Sequence, residues 1–148
     1  MPDPELPPRW NYRRRAIGAA VCLSPFVLLL ASLIGSVWIT DESFLRPIRL
    51  RIAAAALIGG LIFTALNVYT SVRPSIYRWR YGSLDGFRIA SGAPLAGSVF
   101  ATLAGVTGFG DWRVATVGLI VLVFDLGGSP WFLVATWRDR SFWDEHRV

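Results

Sequence analysis

The stretch VATVGLIVLVFDLGGSPWFLVATW, residues 114–137, decides how this chain folds. It carries a single charge, Asp125. A helix that crosses the hydrocarbon core of a bilayer needs about 20 predominantly apolar residues. The run is long enough and reads as a membrane span. A plain lipid-facing helix has no use for Asp125, Gly127, Gly128 and Pro130 in its middle, so this span also holds the main candidate for chemistry.

Working outward, the apolar pattern repeats three times. No charged residue occurs from Ala16 to Thr40, from Ile52 to Val72 or from Ile89 to Gly110. The 148-residue chain is 53% hydrophobic, with 14 glycines in addition, and its mean hydropathy is +0.46. Soluble domains hold roughly 45–50% apolar residues with glycine already included. The surplus here needs lipid to cover it. The expected fold is all-α: an integral membrane bundle of four transmembrane helices over about 16–38, 52–72, 90–109 and 114–137. This membrane domain, 16–137, lies between a Pro- and Arg-rich tail, 1–15, and a second tail, 138–148. The first span is expected to stay uncleaved, because its uncharged run is longer than the apolar region of a secretory signal.

All 15 basic residues are arginines, and they flank the apolar runs. Eleven fall in the two tails and the middle connection, against four in the other two connections. The positive-inside rule then puts both termini in the cytoplasm. The basic balance, with a pI near 10.3, follows from this topology and from anionic head groups. No basic helix face or RNA-binding motif appears, so nucleic acid is not expected as a partner. The middle connection, RPSIYRWRYGSLDGFR at 73–88, mixes aromatics with arginines and suits the membrane interface. GFGDWR at 108–113 reads as a tight outer hairpin. The outer turns offer Asp41, Glu42, Asp111 and Trp112 as a surface for a protein partner.

In span three, Ala93, Gly97, Ala101 and Gly105 recur every fourth residue. That spacing builds a small-residue face on which another helix can approach closely. It predicts a central helix or a homo-oligomer interface. Three prolines carry local expectations. Pro25 bends span one, Pro74 ends span two, and Pro94 sits harmlessly in the first turn of span three.

Asp125 lies twelve residues past Arg113, or about 18 Å along a helix at 1.5 Å per residue. That is near the middle of a core about 30 Å thick. An exposed charge there costs at least roughly 2.5–3.5 kcal/mol, so the group must face protein or water, or hold a proton. Thr64 falls at a similar depth, Asn67 about one turn deeper, and Ser98 and Thr102 also near mid-membrane; a small polar layer of Asp125 with some of these four is expected. Asp125, Thr64 and Asn67 are the candidates for binding an ion or a proton. The residues just after the acid predict a helix break. Gly127 or Gly128 closes one helix, Ser129 caps the next, and Pro130 occupies its first turn.

Enzyme chemistry has little to stand on. The single histidine is His146, near the end, and Cys22 is the single cysteine. No metal-ligand spacing, paired intramembrane carboxylates or phosphate-cradling loop occurs, so neither a cofactor nor a metal is expected. Four segments, RYGSLDGFRIASGAP, GFG, DLGGSPWF and TWRDRSFW, carry a resemblance. With them the last seventy or so residues resemble uncharacterised small four-span inner-membrane proteins of Gram-negative bacteria. Some proteins of this sort are immunity proteins encoded beside interbacterial toxins. The resemblance implies a multi-pass protein of the bacterial inner membrane that binds a protein partner, of accessory or toxin-immunity type. The alternative from the residues is a small oligomeric proton- or cation-coupled transporter or channel that uses Asp125.

Overall fold

The computed structural model describes residues 12–39, 43–85 and 92–143. All regular structure among them is helical: α1 (Tyr12–Gly35), α2 (Arg46–Tyr81), α3 (Ala96–Thr107), α4 (Trp112–Phe124), α5 (Ser129–Thr136) and the short α6 (Arg140–Trp143). Three stretches are long and apolar enough to cross a membrane: Tyr12–Gly35, Arg46–Tyr81, and Trp112–Thr136, which joins α4 and α5. The chain therefore has the character of a membrane protein. Thr40, Asp41, Glu42 and His146 lie outside the described residues.

α1 keeps Pro25 in its interior, buried against the bundle. Proline has no N–H, so the Val21 carbonyl loses its ladder donor. The Ser24 hydroxyl replaces it at 2.8 Å. α2 corrects the expectation that span two stops before Pro74: it runs on to Tyr81. One proline removes one ladder bond, and the turns on both sides of it are intact. The helix stops where glycine allows it to. Gly82 adopts φ 75° and donates to the Arg78 carbonyl at 2.8 Å, with Arg78 and Arg80 at the negative end of the dipole. At 1.5 Å per residue α2 is about 54 Å long, well beyond a hydrocarbon core of about 30 Å.

α3 is shorter than its apolar run. Helix was expected over 90–109, but 92–95 are non-helical and the helix begins at Ala96. Pro94 thus precedes the helix instead of occupying its first turn. It disfavours helical backbone at Ala93. At 12 residues, α3 spans about 18 Å.

α3 nevertheless takes the central place, packed against α2, α4 and α1. Glycines set the separations. Gly59 of α2 meets the Phe100 ring, and Gly60 meets both Phe100 and Val121. Phe100 in turn stacks on Phe63 with centroids 5.5 Å apart. Leu29 of α1 is fully buried, with its methyls against both Gly105 of α3 and Gly118 of α4. The small-residue face is thus used inside the chain. Gly97 and Gly105 each receive a side chain of this same chain, and Ala101 is fully buried. Ala93, its expected fourth member, lies outside the helix.

The two ends of the bundle are fastened differently. At the hairpin end, Asp111 caps α4: its Oδ1 accepts from the Arg113 and Val114 N–H groups at 2.9 and 3.4 Å. The Gly110 N–H donates to Ser32 Oγ of α1 at 2.9 Å. Asp111→Ala is expected to cost about 1 kcal/mol, the usual worth of such a cap, read as a lower unfolding midpoint in detergent. At the opposite, tail end, the guanidinium of buried Arg15 donates to the Trp137 carbonyl and lies over the Trp137 ring. Trp143 of α6 folds back against Gly18 of α1, where a methyl group would overlap its ring. Its indole N–H donates to the Thr136 carbonyl at 2.7 Å.

Candidate functional site

α4 ends at Phe124 because Asp125 leaves the helix, with φ −75° and ψ 82°. The Asp125 N–H still reaches Val121 O at 2.9 Å, and its carbonyl accepts from the Gly128 N–H at 2.7 Å. Gly128, extended at φ −76° and ψ 170°, stands at the N-cap of α5, with Ser129 as the first helical residue. Pro130 comes next in that first turn, where its missing N–H costs nothing.

Two details correct the sequence reading. Neither Gly127 nor Gly128 takes the left-handed backbone of a glycine cap, since Asp125 itself ends the helix. Ser129 does not cap α5 either. Its N–H donates to Ser98 Oγ of α3 at 2.8 Å, so the cap comes from a neighbouring helix. Its hydroxyl instead donates to the Cys22 carbonyl of α1, also at 2.8 Å. The glycines supply space. A methyl on Gly128 would sit 2.8 Å from both Asp125 Oδ2 and Ser98 Oγ, and one on Gly127 would sit 3.0 Å from Asn67 Nδ2.

The carboxyl group of Asp125 is 0% exposed, with Asn67 of α2 beside it at 3%. Oδ1 accepts from Asn67 Nδ2 at 2.6 Å. The same amide nitrogen donates to Ala93 O at 3.1 Å, and Asn67 Oδ1 accepts from the Ala93 N–H at 3.0 Å. One side chain therefore clasps both the acid and the backbone that leads into α3. Oδ2 has no hydrogen-bond partner, and it packs against Gly97, where a methyl would overlap it. A buried oxygen without a donor calls for an explanation of its own.

Of the expected polar layer, Asp125 and Asn67 bond directly. Ser98 joins them through the first turn of α5. Thr102 does not join: its hydroxyl donates to Ser98 O within its own helix at 2.7 Å. Thr64 is buried, but its Oγ1 has no partner.

Leu95 is the feature that reading the sequence missed. It holds a left-handed backbone at φ 67°, which is rare for a side chain of this bulk. Its N–H donates to Gly127 O at 2.9 Å, which joins the lead-in of α3 to the break between α4 and α5. Part of this was legible, since Pro94 disfavours a helix through Ala93. The left-handed residue itself had no signal, because a turn of that kind usually shows as glycine or asparagine. Leu95→Gly is expected to stabilise the fold by about 1 kcal/mol, through relief of a strained conformation. A higher unfolding midpoint in detergent is the readout, and a lower one would mean that the leucine side chain matters more than its backbone.

The arrangement can hold a proton on Oδ2 or offer that oxygen to a cation. Among the described residues no cluster of histidine, cysteine, aspartate and glutamate could hold a metal ion. The expected outer surface is only partly in view. Asp111 is occupied in capping α4, while Trp112 is exposed beneath the Arg113 guanidinium, 5.6 Å from its ring centroid. Comparison of the chain with protein-family models, with curated proteins and with solved structures finds no match.

Proposed function

We propose that this is a multi-pass protein of a bacterial inner membrane, crossing it four times with both termini in the cytoplasm. In this reading its working group is Asp125, which binds a proton or a small cation, and the protein acts as a small oligomeric transporter or channel. One observation carries the reading: Asp125 is fully buried at a helix break, with one carboxyl oxygen held by Asn67 and the other uncommitted. Ionisable groups within a membrane are rare and mark ion or proton pathways. Broken helices at mid-depth are a recurring way to build such sites. The fourth crossing is α3 together with its non-helical lead-in, and the arginine bias supports the orientation. Four crossings leave little room for alternating access in one chain, so an oligomer is part of the proposal.

The test is flux in reconstituted vesicles. Asp125→Asn keeps the shape of the side chain and the acceptor for Asn67, so the fold is expected to persist while proton- or cation-driven flux falls to background. No flux in the wild type, or equal flux in the variant, would sink this reading.

A second reading, of a non-enzymatic accessory or immunity-type protein that binds a protein partner, is favoured by the hairpin end. A hollow of about 20 Å³ lies there between Ile39, Arg46, Arg49, Phe109 and Asp111. At the same end of the chain's fold Trp38, Phe44 and Trp112 are exposed. Affinity purification from native membranes tests this. Recovery of nothing but the bait across several detergents would count against it.

A further inference from the structure

We propose that the species held at Asp125 is a proton rather than a metal cation, and that it arrives from the tail end of the bundle, past Thr70 and Asn67. This rests on the reading of Asp125 as the working group.

The preference for a proton comes from space and ligands. Asp125 has no exposed surface, so no void that admits a water molecule touches it. Hard cations of the calcium or magnesium type gather about six or more oxygen ligands. Here Oδ2 is the one carboxyl oxygen uncommitted, and the carbons of Gly97 and Gly128 crowd it. A proton needs no coordination sphere. Oδ2, Ser98 Oγ and the Asp125 carbonyl lie 2.8, 2.8 and 2.9 Å from the point where a side chain on Gly128 would begin. That point is bonded to the Gly128 Cα, so no ion fits there.

The direction of entry comes from the linings on either side. Towards the hairpin end, one turn from the acid, Leu29, Ala101, Val121 and Leu122 form a fully buried apolar layer across α1, α3 and α4. A second cluster around Ala53, Leu57, Ala104 and Val114 continues it. Thr64 of α2, buried with its Oγ1 unpartnered, is a polar side chain on that same side. Towards the tail end the groups beside the acid are nearer the surface. Thr70 Oγ1 donates to Asn67 O at 3.0 Å, and Gly92 lies beside both Asn67 Oδ1 and Thr70 Oγ1. Thr70, Gly92 and Gly127 are only half-buried. Half-buried groups thus lie between the acid and the surface on this side, against a fully buried layer on the other.

Among the described residues the groups facing the carboxyl are uncharged. They are Asn67 from α2, Gly97 and Ser98 from α3, and Gly128 from the break. Cys22 of α1, which is titratable, packs with Leu133 and Trp143.

Infrared difference spectra of the full chain in sealed vesicles test the proposal. The orientation of the protein is read in the same vesicles by protease removal of a C-terminal tag. A carboxyl C=O band is expected to appear when pH is lowered on the tail side, and to be absent in Asp125→Asn. Exchange of sodium or potassium for choline is expected to leave it unchanged. Thr70→Val is expected to slow the response severalfold without moving the band. A band that sodium suppresses, or one that answers first to pH on the hairpin side, would overturn the proposal while leaving Asp125 as the working group. A wild type with no Asp125-dependent band would remove both readings.

Discussion

Asn67→Leu is expected to cost about 3–5 kcal/mol, enough to leave much of the protein unfolded in detergent. The substitution keeps the approximate size of the side chain and removes every bond it makes. Asp125 Oδ1 loses its donor, and Ala93 loses a partner on both its N–H and its carbonyl. Asp125 Oδ1 is then stranded out of reach of water, while half-buried Ala93 loses two bonds, and a stranded buried group costs about 1–3 kcal/mol, more where charge is involved. The loss is not simply that of one hydrogen bond. Removing both partners of a buried pair is far milder than removing one. The double variant Asn67→Leu with Asp125→Leu is therefore expected to recover a large part of the loss. Chemical unfolding in mixed micelles measures all three proteins. A double variant no more stable than the single one would mean that the clasp on Ala93, and not the acid, is what Asn67 is for.

Gly97→Ala is the second large effect, expected to cost about 1–3 kcal/mol from a single added carbon. Ordinarily alanine improves a helix over glycine by up to about 1 kcal/mol. Here the new methyl would overlap Asp125 Oδ2, which is penned in by Gly128 on another side. The backbone of α3 or of the break must shift, and the contact of Asp125 with Asn67 shifts too. Asp125→Ala in the same chain makes the room that the methyl needs. A double-mutant cycle should then show a coupling of about 0.5–3 kcal/mol between the two positions. Additive losses would place the strain of Gly97→Ala elsewhere.

The helical class and the apolar spans were legible because they rest on composition and on uncharged run length, which tertiary contacts do not override. The long α2 was misread at Pro74. A proline weakens a helix by one bond, and the residues beyond Pro74 carry the helix on until Gly82 closes it with a left-handed cap. α3 was read too long for the opposite reason. Ala93 and Leu95 lie in an apolar run and look helical, but their backbone groups are claimed by Asn67 and by Gly127, residues distant in sequence. At the site, a polar layer of Asp125 with some of its neighbours could be counted along the helices, but the count put Thr64 level with the acid and Asn67 about one turn deeper, and it is Asn67 that bonds to it. The exclusion of Thr64 and Thr102 could not, because hydroxyl partners depend on side-chain direction, which a depth count ignores. The capping of α5 by Ser98 was equally hidden: Ser129 has the right chemistry at almost the right place, and a second serine supplied the bond.

The fastening of α1 at its tail end has a consequence for how the protein is made. The Cys22 carbonyl meets Ser129, 107 residues later in the chain, and the Arg15 guanidinium meets Trp137, 122 residues later. Gly18 receives Trp143, later still. During synthesis α1 thus leaves the ribosome well before α5 and α6, yet its packing is completed only after them. Until then its tail-end half lacks the neighbours that α5 and α6 finally provide. A chain released early, short of Trp137, would leave the arginine without that carbonyl and the glycine notch open. A membrane protease could recognise such a chain as unfinished.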